Sequence, residues 1–114
     1  MKILAICLYS FILTFIEREN RIFQTNNDVV TDSLPQNLKG DFMDDYGIRY
    51  RISDRLWIQH PNIKYHIIRC NTKEQYIIAR NDHQNSSEAG LYTRIDYMSF
   101  TNMAPYGWGF CLTV

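Results

Sequence analysis

Short runs in which apolar and polar residues alternate follow one another from Gly40 to the end of the chain. In the clearest run, residues 48–52, two isoleucines and a tyrosine point one way and Arg49 and Arg51 point the other. Because side chains alternate across a strand, this period of two predicts strands with one buried face, and we expect both arginines outside. No helical pattern of core length separates the runs, so the pattern favours an antiparallel meander.

Seven runs of this kind are predicted as strands, at 41–43, 48–52, 56–59, 64–70, 75–80, 91–97 and 107–113. Most are separated by short stretches of Asp, Asn, Ser or Gly, which favour hairpin turns, and Asp44-Asp45 is predicted to cap one of them. The longest polar stretch, 81–90, is predicted to be a solvated loop. Ser33-Leu34-Pro35 predicts one helical turn ahead of the first strand, ended by Gly40.

A meander of this kind has two bare edges unless it closes. Closure into a small barrel removes the edges, and the twelve aromatic residues from Gly40 onward would fill much of its interior. The predicted fold is therefore mainly β: an antiparallel up-and-down meander that closes into a small barrel, with an N-terminal hydrophobic helix.

That helix is predicted from the first residues. A positive start, Met1-Lys2, is followed by the apolar run Ile3–Ile16, the layout of a signal peptide. As a helix the run would reach about 21 Å, short of the roughly 30 Å hydrocarbon core, and residues 13–16 lack the small side chains of a cleavage site. We expect residues 1–19 to be a signal sequence or membrane anchor, 20–33 a polar linker and 34–114 the barrel domain. The protein would be exported, either secreted or held in the cell envelope, with membrane contact through residues 3–16 if the leader stays.

The segment Leu34–Phe42 (LPQNLKGDF) resembles the entrance to a lipocalin-type (calycin) barrel, in which a short helical turn precedes a Gly-x-Trp motif. Phe42 stands where that family has Trp. Residues 76–81, 90–97 and 108–112 together resemble small secreted or lipoprotein-like bacterial proteins of uncharacterised function. The resemblance implies a barrel with a small apolar cavity, in which Trp57 and Trp108 are candidate ligand-binding residues.

Three further candidates share one face of a predicted strand: Tyr92, Arg94 and Asp96. If that face lined the barrel, the arginine would have to be paired, and Asp96 lies about 7 Å away as its i+2 neighbour. The pair would then specify one arrangement of the barrel interior or offer a charged anchor to a ligand. The alternative is that the three residues lie on the solvated outer face.

Three cysteines occur, and Cys7 belongs to the leader. In an oxidising compartment Cys70 and Cys111 could form a disulfide, and the alternative is two buried free thiols. Catalysis by Cys70 with His66 is not expected, because i and i+4 in a strand are about 13 Å apart.

Twelve Lys and Arg balance twelve Asp and Glu, so no long-range field favours nucleic acid as a partner. The three histidines lack zinc-ligand spacing, and we predict no metal, no cofactor and no enzyme activity. Two functions stay open. One is a non-catalytic barrel that binds a small apolar ligand, and the other is a structural or protein-interaction module of the envelope with a filled core. The oligomeric state is not predicted.

Overall fold

The computed structural model describes residues 2–5 and 32–114, and the strands of these residues form one closed barrel in chain order. They are β1 (Lys2–Ala5), β2 (Gly40–Asp44), β3 (Arg49–Ile52), β4 (Leu56–Gln59), β5 (Ile63–Asn71), β6 (Tyr76–Asn81), β7 (Tyr92–Ser99) and β8 (Tyr106–Thr113). A 3-10 turn, Gln36–Leu38, precedes β2. The predicted β-barrel, its seven runs and the helical turn are confirmed.

The barrel closes through β1, which the sequence did not predict as a strand. Strands β2 to β8 form an up-and-down meander in which each pairs antiparallel with the next. In a meander of seven strands the first and the last strand run in the same direction, so β2 and β8 are parallel to each other. Strand β1 lies between them and is parallel to both, with Lys2 opposite Met43 and Ala5 opposite Phe110. Ile3 is fully buried there.

The first residues of the predicted hydrophobic helix, Ile3 to Ala5, therefore lie in a strand. A short apolar run gives the same signal at the start of a helix and in a buried strand, so the pattern alone did not separate the two. The remainder of that prediction, residues 6–16, lies outside the described residues, as does most of the predicted linker. Within the parts of the chain that the structure describes, no helix is both long and apolar enough to cross a bilayer.

The core lies inside the barrel and consists of the inward-facing residues of all eight strands. Both predicted outward arginines, Arg49 and Arg51, are exposed, as the alternation requires. Leu34, ahead of the 3-10 turn, and Leu38, its last residue, join the same core cluster. The inward aromatic and aliphatic members include Phe42, Tyr50, Ile52, Trp57, Ile77, Ile95, Tyr97, Trp108 and Phe110.

The β2–β3 turn is held by the carboxylate of Asp44, as predicted. Its Oδ1 accepts the backbone N–H groups of Tyr46 and Ile48, each at 2.9 Å, and its Oδ2 accepts the hydroxyl of Tyr50 at 2.9 Å. Gly47 has φ +82° in this turn, a conformation that side chains disfavour. Burial, and then the bond to Asp44, raise the pKa of Tyr50.

The predicted solvated loop, 81–90, is anchored at two buried asparagines. Asn85 accepts the backbone N–H of Lys64 at 2.9 Å and donates to the carbonyl of the same residue at 2.8 Å. Asn81 accepts the hydroxyl of Thr93 at 2.6 Å. Asn85 thus takes the place of a backbone partner beside β5, and Asn81 pairs with a side chain of β7, so these two polar residues hold the loop to the barrel.

Candidate functional site

The two predicted ligand-binding tryptophans meet in the barrel interior. The rings of Trp57 and Trp108 are 5.9 Å apart in an edge-to-face arrangement. Phe110 lies 5.1 Å from Trp57, and Phe42 lies 5.2 Å from Trp108. Tyr50 completes the group at 5.3 Å from Phe110. We call these five residues the ring cluster. Since each ring contacts at least one other at the spacing of packed aromatic pairs, the ring cluster occupies this part of the interior.

The ring cluster carries two unpaired hydrogen-bond donors. The indole Nε1 atoms of Trp57 and Trp108 are buried and have no hydrogen-bond partner. A buried donor that pairs with nothing costs roughly 1–3 kcal/mol. The interior could therefore pair with an acceptor such as a carbonyl or a carboxylate oxygen.

The other three predicted site residues lie on the outer wall. They alternate along β7 with the buried Thr93 and Ile95, so Tyr92, Arg94 and Asp96 point away from the core. The alternative in which they line the lumen is wrong. The physical reason is that Ile95 and Tyr97, on the opposite face of the strand, pack into the apolar core.

Two of those three residues form a pair, as their spacing suggested. Nε of Arg94 lies 3.1 Å from Oδ1 of Asp96. The guanidinium also stacks over the ring of Tyr76, with its carbon 4.1 Å from the ring centroid. Asp96 is buried even though it faces outward. This pair is part of the packed wall and is separate from the tryptophans inside.

Tyr92 instead belongs to a row of polar residues that crosses three strands. In the sheet register His66 on β5 lies opposite Arg80 on β6, and Arg80 lies opposite Tyr92 on β7. All three side chains are exposed on the outer wall. Cross-strand neighbours are about 5 Å apart, so the row spans roughly 10 Å.

His66 is oriented by an acidic neighbour. Its Nε2 lies 2.7 Å from Oδ2 of Asp82, while Oδ1 of Asp82 accepts the backbone N–H of Gln84 at 2.8 Å. These hydrogen bonds, that of His66 first, hold the pKa of Asp82 below its ordinary value. The His66 side chain remains 52% exposed, so a partner can reach it.

Exposed apolar side chains lie around this row. Ile68 is 49% exposed and Leu91 is 51% exposed, while Tyr92 is 59% exposed. Ile68 follows Lys64 and His66 on the outward side of β5 by regular alternation, and the register shift between Ile67 and Arg69 changes the facing only of the residues after it. We name the set Lys64, His66, Ile68, Arg80 and Tyr92 the β5–β7 face.

Sequence reasoning missed most of the β5–β7 face. Only Tyr92 was selected, because the other four residues lie on two other strands and meet it only through the pairing register. Alternation did indicate that Lys64 and His66 share a face, but it carries no information on which residues of β6 oppose them.

Neither alternative for Cys70 and Cys111 holds in full: they form no disulfide with each other, and only one of them is a free thiol. Cys70 is a free thiol buried in the core, whereas Cys111 is disulfide-bonded. Cys7 lies outside the described residues. The register shift in β5 turns Cys70 inward, away from Cys111 on the outer wall and from the exposed His66. Burial raises the pKa of the Cys70 thiol.

The geometry defines a class: a small closed β-barrel with aromatic packing inside and one exposed face of mixed cationic and apolar character. No family model matches the chain, and no curated protein or solved structure matches it. Among the residues the structure describes, no three His, Cys, Asp or Glu side chains form a group that could hold a metal ion.

Proposed function

We propose that this protein is a non-catalytic binding module that recognises a protein partner through the β5–β7 face. The proposal is based on the contrast between the inside and the outer wall of the barrel. The ring cluster occupies the interior, while Ile68 and Tyr92 are about half exposed beside arginine and lysine. Tyrosine and arginine are enriched in protein interfaces, and apolar groups interleaved with them are typical of such surfaces.

The burial of the Cys70 thiol supports the proposal that the protein is not a catalyst. A nucleophilic cysteine needs an accessible thiolate, yet Cys70 is buried and its pKa is raised. Tyr97 lies beside it, and its own pKa is raised to about 12 by burial and by Cys70. Both groups therefore stay protonated at neutral pH and act as packing groups.

Export to the cell envelope or the medium is a second part of the proposal. It is supported by the disulfide at Cys111, since disulfides persist in oxidising compartments. Intact mass and N-terminal sequence of the protein purified from a secreting host test it. Recovery of the protein only in the reducing cytoplasm, with Cys111 reduced, would argue against export.

The experiment for the binding function places a photo-crosslinking amino acid at position 92 of the full chain in its source cells. Tyr46 is the matched control, because it is a tyrosine with 76% exposure in the β2–β3 turn, outside the β5–β7 face. We expect a discrete protein adduct at position 92 that is absent at position 46. Equal crosslinking at both positions, or none at either, contradicts the proposal.

A lipocalin-like function, storage of a small apolar ligand, is the second candidate. The observation that favours it is the pair of unpaired indole N–H groups, which an acceptor on an otherwise apolar ligand would satisfy. A fluorescent apolar carboxylic acid titrated into the purified protein tests this function. Saturable binding that quenches tryptophan emission supports it, and the absence of saturation rejects it.

A further inference from the structure

We propose that the row His66, Arg80 and Tyr92 is a carboxylate-recognition site, and that the protein partner binds there with an acidic segment. This inference rests on the proposed binding function and adds the chemistry of the partner. The inference is based on the pairing register, which places an imidazole, a guanidinium and a phenol side by side on three neighbouring strands.

The row offers several donors and has no acid of its own at the centre. Arg80 makes no ion pair with any residue that the structure describes, and the same holds for the exposed Arg49 on β3. Arg80 differs from Arg49 in lying between His66 and Tyr92 in the sheet register. A guanidinium presents a planar fork of donors that matches the two oxygens of a carboxylate. Arg80 is therefore the group that an incoming carboxylate would pair with.

The flanking residues fit the same ligand. The Tyr92 hydroxyl makes no hydrogen bond with any residue that the structure describes, so it can donate from one side. On the other side the His66 ring flanks the site and is held in place by its Nε2 contact with Asp82. Among the residues that the structure describes, Asp82 is the acidic residue bonded to the row, through His66, and it also accepts the Gln84 N–H. Lys64 is also exposed, two residues from His66 on the same side of β5, so the face keeps a net positive charge.

The surroundings favour an acidic protein segment over nucleic acid. Phosphate backbones bind along continuous cationic tracks, whereas here the apolar Ile68 and Leu91 are about half exposed near the row. The whole chain also has a formal net charge of zero. A segment that alternates carboxylates with apolar side chains would pair with the arginine and cover these groups at once.

The test uses a labelled ten-residue peptide of alternating Glu and Leu, titrated into the full chain and followed by fluorescence anisotropy. Arg80→Gln should weaken binding about tenfold or more, because a charged hydrogen-bonded pair is lost. Tyr92→Phe, which keeps the ring, should weaken it by about threefold. Arg49→Gln, an exposed arginine on β3, is the matched control and should bind like the parent.

Three results would overturn the inference: no saturable binding of the peptide, equal binding by Arg80→Gln, or equal binding of a matched Gln-Leu peptide. Tighter binding of single-stranded DNA, lost in Arg80→Gln, would also overturn it in favour of phosphate. An adduct at position 92 combined with any of these results leaves the binding function standing and removes only the acidic partner. Urea midpoints of all variants establish that each one is folded.

Discussion

Replacing Trp57 by a smaller aromatic ring separates a filled interior from an interior built around a ligand. Trp57 is fully buried and contacts the rings of Tyr50, Trp108 and Phe110 at 6.1, 5.9 and 5.1 Å. Truncation of such a residue to alanine costs about 3–5 kcal/mol. Since small domains are stable by only about 5–15 kcal/mol, Trp57→Ala should lose a substantial part of its stability.

Trp57→Phe should behave very differently. The smaller ring loses about 1–2 kcal/mol of apolar burial, but it also removes a buried N–H that has no partner, which is worth about 1–3 kcal/mol. The two effects offset, so we expect a free energy of unfolding within about 1 kcal/mol of the parent.

The assay is urea unfolding followed by circular dichroism, which does not depend on the altered tryptophan. A loss of about 3 kcal/mol or more in Trp57→Phe, close to that of Trp57→Ala, would refute the reasoning. It would mean that the indole N–H has a partner in solution, and it would support the small-ligand function instead.

Four further outcomes are expected. Asp44→Ala removes an acceptor of three hydrogen bonds and should cost about 2–4 kcal/mol in urea unfolding, whereas a loss below about 0.5 kcal/mol would contradict the capping role. Asn85→Ala removes two hydrogen bonds to β5 and should cost about 2 kcal/mol by the same assay, and an unchanged midpoint would contradict the anchoring of the loop. The folded pKa of Tyr97 lies near 12, above its ordinary value of 10, so its stabilising contribution is complete below pH 10 and is lost between pH 10 and 12. The free energy of unfolding of Tyr97→Phe should therefore change less with pH over that window than that of the parent. Equal pH profiles of the two proteins would contradict this. Without reductant, Cys70 should react with iodoacetamide in urea but not in buffer, as read by mass after digestion, and rapid labelling of the native protein would contradict its burial.

The seven meander strands could be predicted because each carries its own evidence. Alternation within 48–52 predicts which side chains are buried, whereas within 91–97 it separates the two faces without saying which one is inside. The intervening Asp, Asn and Gly residues predict the turns. The Asp44 cap could be predicted for the same reason, since its partners lie within six residues. Local pattern was sufficient wherever the interaction was local.

Features that depend on distant parts of the chain could not be predicted. Strand β1 pairs with residues about one hundred positions away, so its apolar residues had the same pattern as a leader helix. The Cys70–Cys111 disulfide, which the sequence left open as one alternative, does not form because a register shift in β5 turns Cys70 inward. The row at Arg80 is likewise a product of register, which no single run contains.

The most direct test of the closed, filled barrel is a nuclear Overhauser spectrum of the full chain in solution. The structure predicts contacts from the Ile3 side chain to the ring of Trp108, its parallel partner across β1 and β8, together with contacts among the rings of Trp57, Trp108 and Phe110. Ring contacts without any contact to Ile3 would contradict closure through β1. Sharp, separate ring signals with no mutual contacts would contradict the filled interior on which the binding proposal rests.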